Sequence, residues 1–217
     1  VSASSLMEAN NESFKKELLE GSISKSGLVS YIESIDETTA ILNSNLYRAA
    51  ELVKSFKEIA VNQSIEEKSR FNFREYIDSI LLSLKHEYKN KNVEFKIDCP
   101  DDLVINNYSG AISQVFTNLI MNSLIHGFKD MKSGQINISV VPEGENLIIH
   151  YKDNGLGMNE EVKKRVFEPF YTTNRGKGGS GLGMNIVYNL VTAKLNGKIS
   201  CKSEIDKGTE FIIEIKR

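Results

Sequence analysis

The chain reads DNGLGM at residues 153–158, directly after an apolar run in which Leu147, Ile149 and Tyr151 alternate as the residues of a β-strand do. A carboxylate at a strand end is a fixed hydrogen-bond acceptor, and two glycines two residues apart let the backbone pass close to a flat ring. Asp, Asn and Gly are also ordinary turn residues, so this motif alone is weak evidence for a binding site.

A second glycine-rich stretch, GKGGSGLG at residues 176–183, leads directly into an apolar helical pattern with Ile186 and Val187. Such a stretch predicts a loop that enters a helix N-terminus, which is a position that binds anions. Arg175 and Lys177 add positive charge there. A plain flexible linker fits poorly, because the glycines continue into the helix. A dinucleotide-binding loop is excluded, since no strand precedes the stretch and no acid follows about 20 residues later.

Residues 109–127 are predicted to form a helix that Ser109 caps. Its polar residues, Gln114, Asn118, Asn122 and His126, are each four apart and therefore form one stripe beside an apolar face. A solvated stripe normally carries Lys and Glu, so amide side chains favour a polar ligand. Asparagine oxygens suit Mg²⁺, a hard ion that is commonly shared with phosphates.

The sequence before about residue 70 shows helical patterns and almost no strand signal. Residues 1–20 carry a weak apolar stripe, and Gly21 ends that helix. A regular heptad seam follows, spaced alternately by four and three residues: Leu28, Ile32, Ile35, Thr39, Leu42, Leu46, Ala49, Val53, Phe56 and Ala60. We expect a helical hairpin, and because so long a seam needs more than two helices, we expect it to dimerise.

Strands and helices alternate after residue 70. Predicted strands lie at 71–73, 93–97, 103–105, 136–140, 147–151, 199–201 and 211–215, and predicted helices at 74–90, 109–126, 159–166 and 181–196. The expected fold class is α+β: a helical hairpin at residues 1–69, then a domain at 70–217 with a mixed, mostly antiparallel sheet and helices on one face.

Composition limits the functional classes. The 217 residues include 27 Lys plus Arg and 29 Asp plus Glu, so the chain lacks the strong positive charge typical of nucleic-acid binding. Its two cysteines, Cys99 and Cys201, have no metal-binding or redox spacing, which argues against a zinc site or a disulfide framework. No apolar run approaches the roughly 20 residues of a spanning helix.

In their order along the chain, five motifs resemble those of the catalytic domain of histidine kinases, within the ATPase class that also contains gyrase B, Hsp90 and MutL. They are NLIMNS at 118–123 (N box), DNGLGM at 153–158 (G1 box), FEPFYTT at 167–173 (F box), GSGLG at 179–183 (G2 box) and GTEF at 208–211 (last glycine box). The resemblance covers residues 70–217 and implies an α/β sandwich of the Bergerat ATP-binding type. The F box and the upstream hairpin favour the kinase branch.

The resemblance implies roles for individual residues. Asn122 would ligate Mg²⁺ with Asn118 nearby, Asp153 would accept a hydrogen bond from the adenine amino group, and residues 172–183 would form a lid over ATP. The ATP-binding residues implied in this way are Asn118, Asn122, His126, Asp153, Gly155, Gly157, Met158, Phe170, Thr172, Thr173, Arg175, Lys177, Gly179, Ser180, Gly181, Leu182, Gly183, Met184 and Thr209.

One part of the N box departs from the family pattern. Many relatives carry a Lys three positions and a Tyr four positions after the second Asn, where this chain has Ile125 and His126. Phosphate contact from this helix is therefore in doubt. Arg175 or Lys177 would substitute for the missing cation, and His126 would contact the ribose or a phosphate.

The family phosphorylates a histidine on the first hairpin helix, but the three histidines here, His86, His126 and His150, all lie beyond residue 70. His86 precedes Glu87 but lies off the apolar face of its predicted helix, and His150 is predicted on the opposite strand face from Tyr151. We expect the acceptor about ten residues upstream of Val1, roughly three helical turns away. The chain itself would then contain no phosphorylated catalytic residue.

The sequence thus predicts the ATP-binding, Mg²⁺-dependent core of a sensor histidine kinase. It would transfer the γ-phosphoryl group of ATP to a histidine of the dimerisation helix and onward to the receiver domain of a response regulator. We expect a homodimer through the hairpin, a cytoplasmic location and a membrane-associated parent protein. Two alternatives are a non-catalytic dimerisation scaffold and an ATPase clamp like gyrase or MutL, although Gln114 replaces the catalytic Glu that a clamp needs.

Overall fold

The computed structural model describes residues 3–65, 67–173 and 181–217. The chain divides into two compact units, Val1–Lys54 and Ser55–Arg217. The sequence analysis placed the domain boundary between residues 69 and 70, where helical sequence gives way to alternating strands and helices. That boundary remains a prediction. No helix in the described ranges is both long enough and apolar enough to cross a membrane.

The first unit contains most of the predicted helical hairpin, whose second helix continues beyond Lys54. Helix α1 (Ala3–Leu19) ends before Gly21, whose φ of 66° reverses the chain, and helix α2 (Lys25–Ile65) follows. The rings of Phe14 and Tyr31 stack with centroids 3.9 Å apart. The Tyr31 hydroxyl also donates to Asn11 Oδ1 at 2.6 Å. An aromatic pair and polar bonds, more than aliphatic packing, therefore hold α1 against α2.

The heptad seam of α2 lies mostly outside this contact. Leu28, Ile32 and Leu46 are 43%, 50% and 66% exposed, whereas Thr38, which is not in the seam, is 1% exposed. Thr39, predicted as a buried seam residue, is exposed. The physical reason is that α1 covers the neighbouring, more polar face of α2. The side chains of the predicted seam residues Val53, Phe56 and Ala60 lie outside the described part.

The second unit alternates strands and helices as predicted. Its elements are β1 (Ser69–Asn72), α3 (Phe73–Ser83), α4 (Lys85–Tyr88), β2 (Val93–Asp98), β3 (Val104–Asn107), α5 (Ser109–Asn122), β4 (Gly134–Glu143), β5 (Asn146–Asp153), α6 (Glu160–Arg165), α7 (Gly183–Asn189), β6 (Lys198–Glu204) and β7 (Gly208–Lys216). The main sheet has the order β2-β4-β5-β7-β6, and β1 pairs separately with β3. Only β2 and β4 run parallel among these sheet pairings.

Burial alternates along the central strands, as period-two strand geometry requires. Ile136, Ile138, Leu147, Ile149 and Ile213 are at most 2% exposed, while their sequence neighbours on the other face are more accessible. One face of the sheet is therefore packed into the core, together with the apolar faces of α3, α5 and α7. The α+β class and the mixed, mostly antiparallel sheet are confirmed.

Three helix details differ from the sequence-based expectation. The helix predicted at 74–90 is interrupted at Leu84. The helices predicted to reach 126 and 196 are α-helical only to Asn122 and Asn189, and then widen into π-helical turns, Ser123–Gly127 and Leu190–Lys194. Ser109 is the first residue of α5 instead of its cap, because the chain turns at Tyr108.

The turns at Gly144 and Gly157 provide a matched stability test. Both glycines have positive φ, 60° and 66°. A Cβ at Gly157 would lie 2.0 Å from the carbonyl oxygen of Glu204, whereas one at Gly144 would meet no atom within 4 Å. Gly144→Ala should cost only the left-handed backbone strain of about 1–2 kcal/mol. Gly157→Ala should cost about 1–3 kcal/mol more, because backbone must also move. Urea unfolding measures both, and equal midpoints would contradict the close approach.

Candidate functional site

A buried carboxylate, Asp153, lies at the end of the central strand β5 and is 4% exposed. Its Oδ2 accepts a hydrogen bond from Ser123 Oγ at 2.8 Å. Its Oδ1 accepts from the backbone N–H of Gly155 at 2.9 Å and of Thr209 at 3.2 Å. Donors from three separate segments therefore converge on one side chain.

Burial raises the pKa of Asp153 above its ordinary value, and the bonds from Ser123, Gly155 and Thr209 partly lower it again. The two effects oppose each other because burial penalises the charged carboxylate, whereas donated hydrogen bonds favour it. An acidic group with a perturbed pKa beside two glycine-containing loops is typical of a functional site.

The loop after Asp153 lies against the π turn that follows α5. The N–H of Leu156 donates to the carbonyl of Gly127 at 2.8 Å. A Cβ on Gly155 would lie 2.6 Å from that same carbonyl oxygen, and a Cβ on Gly127 would lie 3.6 Å from Asp153 Oδ1. Glycine is therefore required at Gly155 by close contact with the Gly127 backbone, and the approach of a flat ring expected from the sequence stays a prediction.

The turn between β6 and β7 closes the other side of this loop. The N–H of Met158 donates to Ser203 Oγ at 2.8 Å, and this hydroxyl also lies 3.0 Å from Thr209 Oγ1. A Cβ on Gly208, whose φ is 84°, would lie 2.0 Å from the Asp153 carbonyl oxygen. The structure thus brings together the predicted site residues Asp153, Met158 and Thr209.

Helix α5 contributes the amide side chains. The Asn118 amide nitrogen donates to the Gln114 carbonyl at 2.9 Å. Asn118 Oδ1 lies 3.1 Å from the Cβ position of Gly183, at the start of α7. Asn122 is half-buried, and its side chain has no hydrogen-bond partner among the described residues. The Asn118 side chain is therefore close to the N-terminus of α7.

His126 lies within the π turn, so it no longer follows the four-residue spacing of an α-helical stripe. Its imidazole is half-buried, and burial together with the charge of Lys129 lowers its pKa from 6.5. The ring is consequently neutral near pH 7. The amino group of Lys91 donates to the Leu124 carbonyl at 2.8 Å and so helps to hold the turn.

The end of the F box contacts the start of the α7 segment. Phe170, with φ 65°, lies so close to Gly181 that a Cβ there would be 2.6 Å from the Phe170 carbonyl carbon. Asn185 Nδ2 donates to the Phe167 carbonyl at 3.0 Å. Of the remaining predicted residues, Leu182 and Met184 are buried, Thr172 is half-buried and Thr173 is exposed. The predicted residues Arg175, Lys177, Gly179 and Ser180 lie outside the described residues.

Sequence reasoning assigned no role to three neighbours of Asp153: Ser123, Gly127 and Tyr151. The Tyr151 hydroxyl lies 3.0 Å from Ser123 Oγ in the same buried cluster. One sequence signal was available, because Tyr151 precedes Asp153 by two residues in a strand and must therefore share its face. A tyrosine hydroxyl in an otherwise aliphatic core needs a partner.

This arrangement of a buried strand-end carboxylate, an asparagine-bearing helix and glycine loops defines an ATPase class. The chain belongs to the family described as histidine kinase-, DNA gyrase B-, and HSP90-like ATPases, whose model matches residues 107–217. Within that family its relatives are sensor kinases, so the second unit is a histidine kinase catalytic domain. Neither the scaffold nor the gyrase-like clamp is favoured.

Relatives support this placement. The autoinducer 2 sensor kinase/phosphatase LuxQ of Vibrio vulnificus is 30% identical in an alignment of 197 residues, and the match covers 84% of this chain and 22% of LuxQ. The solved catalytic domain of histidine kinase ThkA is 27% identical with a TM-score of 0.61, covering 69% of this chain and 95% of that one. ThkA in complex with response regulator protein TrrA shares the fold, at 23% identity, a TM-score of 0.59, and coverage of 94% and 56%. The chain thus spans under a quarter of LuxQ.

The neutral state of His126 is testable. A ring-proton NMR titration, with the signal assigned by its loss in His126→Gln, should show a pKa below 6.5. Lys129→Ala should raise that pKa but keep it below 6.5, because it removes the neighbouring positive charge and leaves the larger effect of burial in place. A pKa at or above 6.5 in the unmodified chain would show that the imidazole is not desolvated as described.

Proposed function

We propose that this chain binds ATP and Mg²⁺ and that its parent protein transfers the γ-phosphoryl group to a histidine imidazole and then to a response regulator. The observation that carries the proposal is the buried carboxylate of Asp153, held by three donors beside glycine backbone. Such a carboxylate costs free energy to bury. It is retained here as a hydrogen-bond acceptor for a ligand.

The adenine ring is proposed to lie against the loop from Gly155 to Met158. Asp153 accepts a hydrogen bond from the exocyclic amino group of the base. Gly155 and Gly157 are held by close backbone contacts that leave no room for a side chain of their own. Without side chains, their backbone can also approach a flat ring. Thr209 faces the same carboxylate from β7 and completes this end of the pocket.

The residues present fit a magnesium ion that is shared with phosphates. Asn122 offers an amide oxygen without a protein partner among the described residues. Within those residues no group of three or more His, Cys, Asp or Glu side chains is placed to hold a metal by itself. Mg²⁺ commonly takes few protein ligands and completes its shell with phosphate oxygens and water. It would offset negative charge on the transferred phosphoryl group.

The triphosphate is proposed to extend from Asn122 toward α7. Asn118 Oδ1 already lies close to Gly183, so the helix N-terminus and the asparagine helix meet there. Backbone N–H groups of Gly181, Leu182, Gly183 and Met184 would face the phosphates. Arg175 and Lys177 of the lid would supply positive charge, with Gly179 and Ser180 giving backbone contacts. Phe170, Thr172 and Thr173 lead into that lid, and His126 contacts the ribose or a phosphate as a neutral ring.

The acceptor histidine is proposed to lie in the parent protein outside this chain. None of its three histidines falls in the helical hairpin. His86 is exposed and pairs with Glu87 at 2.9 Å, and His150 lies on the accessible sheet face, 2.9 Å from Glu210. The receiver domain of a response regulator is the proposed final acceptor, in line with the ThkA–TrrA complex. The parent is proposed to be membrane-associated, with this part in the cytoplasm.

A titration with a fluorescent ATP analogue tests nucleotide and metal binding together. The unmodified chain should bind, and Mg²⁺ should tighten binding. Asn122→Ala should abolish the Mg²⁺ effect and leave metal-free affinity nearly unchanged, because it removes a metal ligand and no contact to the base. Asn137→Ala, in β4, is the control and should retain the Mg²⁺ effect. No affinity for adenine nucleotides at millimolar concentration would refute the proposed function.

A second prediction concerns the homodimer proposed for the hairpin. The exposed apolar side chains Leu28, Ile32 and Leu46 would be covered by a second copy. Ile32→Glu should raise the dimer dissociation constant at least tenfold in analytical ultracentrifugation, because a charge would be buried. Glu33→Gln, at the neighbouring exposed position, is the matched control. At about 100 µM the chain is roughly 100-fold above a dissociation constant of about 1 µM and should be dimeric. An unmodified chain that is still monomeric at this concentration would contradict this arrangement.

A further inference from the structure

Ser123, Tyr151 and Asp153 form a hydroxyl–hydroxyl–carboxylate chain in the interior, each at most 4% exposed. Ser123 Oγ lies 2.8 Å from Asp153 Oδ2 and 3.0 Å from Tyr151 Oη. Ser123 comes from the π turn after α5, and the other two residues come from β5. The serine hydroxyl is therefore the link between the tyrosine and the carboxylate.

The direction of these hydrogen bonds follows from the number of protons available. Serine has one hydroxyl hydrogen, and an ionised carboxylate can only accept. With Asp153 ionised, Ser123 donates to Asp153 Oδ2, and the Tyr151 hydroxyl donates to Ser123 Oγ. Burial raises the pKa of Tyr151 well above 10, so its proton stays in place. If Asp153 were protonated, both of these hydrogen bonds would run in the opposite direction.

The remaining acceptor position on Asp153 can be identified by counting. A carboxylate has about four acceptor positions. Gly155 and Thr209 occupy both positions on Oδ1, and Ser123 occupies one on Oδ2. The position left for a ligand is the second one on Oδ2, the same oxygen that Ser123 contacts.

We infer that Ser123 and Tyr151 are positioning residues that keep Asp153 ionised and fix its Oδ2 as the acceptor for the amino group of the base. The inference rests on the proposed nucleotide site and adds to it two residues and the identity of the contacting oxygen. Neither residue touches the base: Tyr151 acts through Ser123, and Ser123 acts through Asp153.

The titratable groups that interact electrostatically with Asp153 do not change charge in the tested pH range, and titration of His126 would affect both nucleotides of the test alike. In the described chain, Asp153 and its neighbours Tyr151 and Cys201 influence one another electrostatically. Burial raises the pKa of Cys201 to about 12. Tyr151 and Cys201 are thus both neutral around pH 7. The elements packed against Asp153 otherwise present Gly127, Ile136 and Thr209, which do not titrate.

The sign of the pH effect follows from the Ser123 bond. Burial raises the pKa of Asp153, and the bond from Ser123 lowers it. Removal of the hydroxyl therefore raises this pKa further, and protonation at Asp153 removes the acceptor. Binding of an amino-purine should be lost on acidification at a higher pH in a Ser123 variant than in the unmodified chain.

The test measures affinity for Mg²⁺-ATP and for Mg²⁺-bound purine riboside 5′-triphosphate, which lacks the 6-amino group, between pH 5 and pH 8. Ser123→Ala should weaken ATP binding about tenfold at pH 7, because bonds to charged groups are among the stronger hydrogen bonds. It should move the acid midpoint of ATP binding to higher pH and leave binding of the purine analogue unaffected. Tyr151→Phe should shift the midpoint in the same direction by less.

Two controls make each outcome decisive. Ser79→Ala removes a hydroxyl from the exposed face of α3 and should change neither affinity nor midpoint. Ser123→Thr keeps the hydroxyl and should restore the midpoint of the unmodified chain. Equal weakening of the binding of both nucleotides in Ser123→Ala, or an unmoved acid midpoint in that variant, overturns the inference. If Ser123→Ala does not fold, the midpoint of Tyr151→Phe decides. Failure of the unmodified chain to bind ATP would instead overturn the proposed function.

Discussion

The buried carboxylate of Asp153 is the constraint on which the second unit depends. An isolated charge in a protein interior is costly, and its cost falls only when hydrogen-bond donors surround it. The donors here come from the π turn at Ser123, the loop at Gly155 and the start of β7 at Thr209. Three segments distant in sequence must therefore be in place together. Close backbone contact also requires glycine at two positions beside it: a Cβ on Gly155 would meet the Gly127 backbone, and a Cβ on Gly208 would meet the Asp153 carbonyl oxygen.

Much of this unit was predictable because its signals are local. Alternating apolar residues predicted the central strands, and the helix expected at 159–166 is present as α6, where the Asn159 side chain accepts from the N–H of Val162. The order of motifs predicted that Asp153, Gly155 and Thr209 would meet. The π turn at Ser123–Gly127 was not predictable in this way. It widens the helix so that Ser123 and Gly127 both face Asp153, a requirement that comes from tertiary contact and leaves no periodic pattern in the sequence.

The hairpin shows a different limit of sequence reasoning. A heptad seam identifies the most apolar face of a helix, but it does not say which partner covers that face. Helix α1 contacts α2 through the Phe14–Tyr31 stack and the Tyr31–Asn11 bond, and the seam residues Leu28 and Ile32 stay exposed. One helix thus carries two contact faces. The polar face matches an aromatic and amide-bearing partner in the same chain, and the apolar face is suited to a larger bundle.

The charge balance of the proposed site explains why nucleotide binding in this chain would depend strongly on the metal ion and on the lid. Under the proposed function, α5 and the π turn after it bring amides and a neutral imidazole to the phosphates, since Ile125 stands where many relatives carry a cation and the pKa of His126 is lowered. The carboxylate of Asp153 adds negative charge at the other end of the pocket. Under the proposed function, the charge of a triphosphate must therefore be offset by Mg²⁺ at Asn122, by backbone N–H groups of α7, and by Arg175 and Lys177. Because two of these three contributions depend on a bound ion and on the glycine-rich segment, nucleotide affinity should respond to metal more strongly here than in a domain whose asparagine helix carries its own lysine.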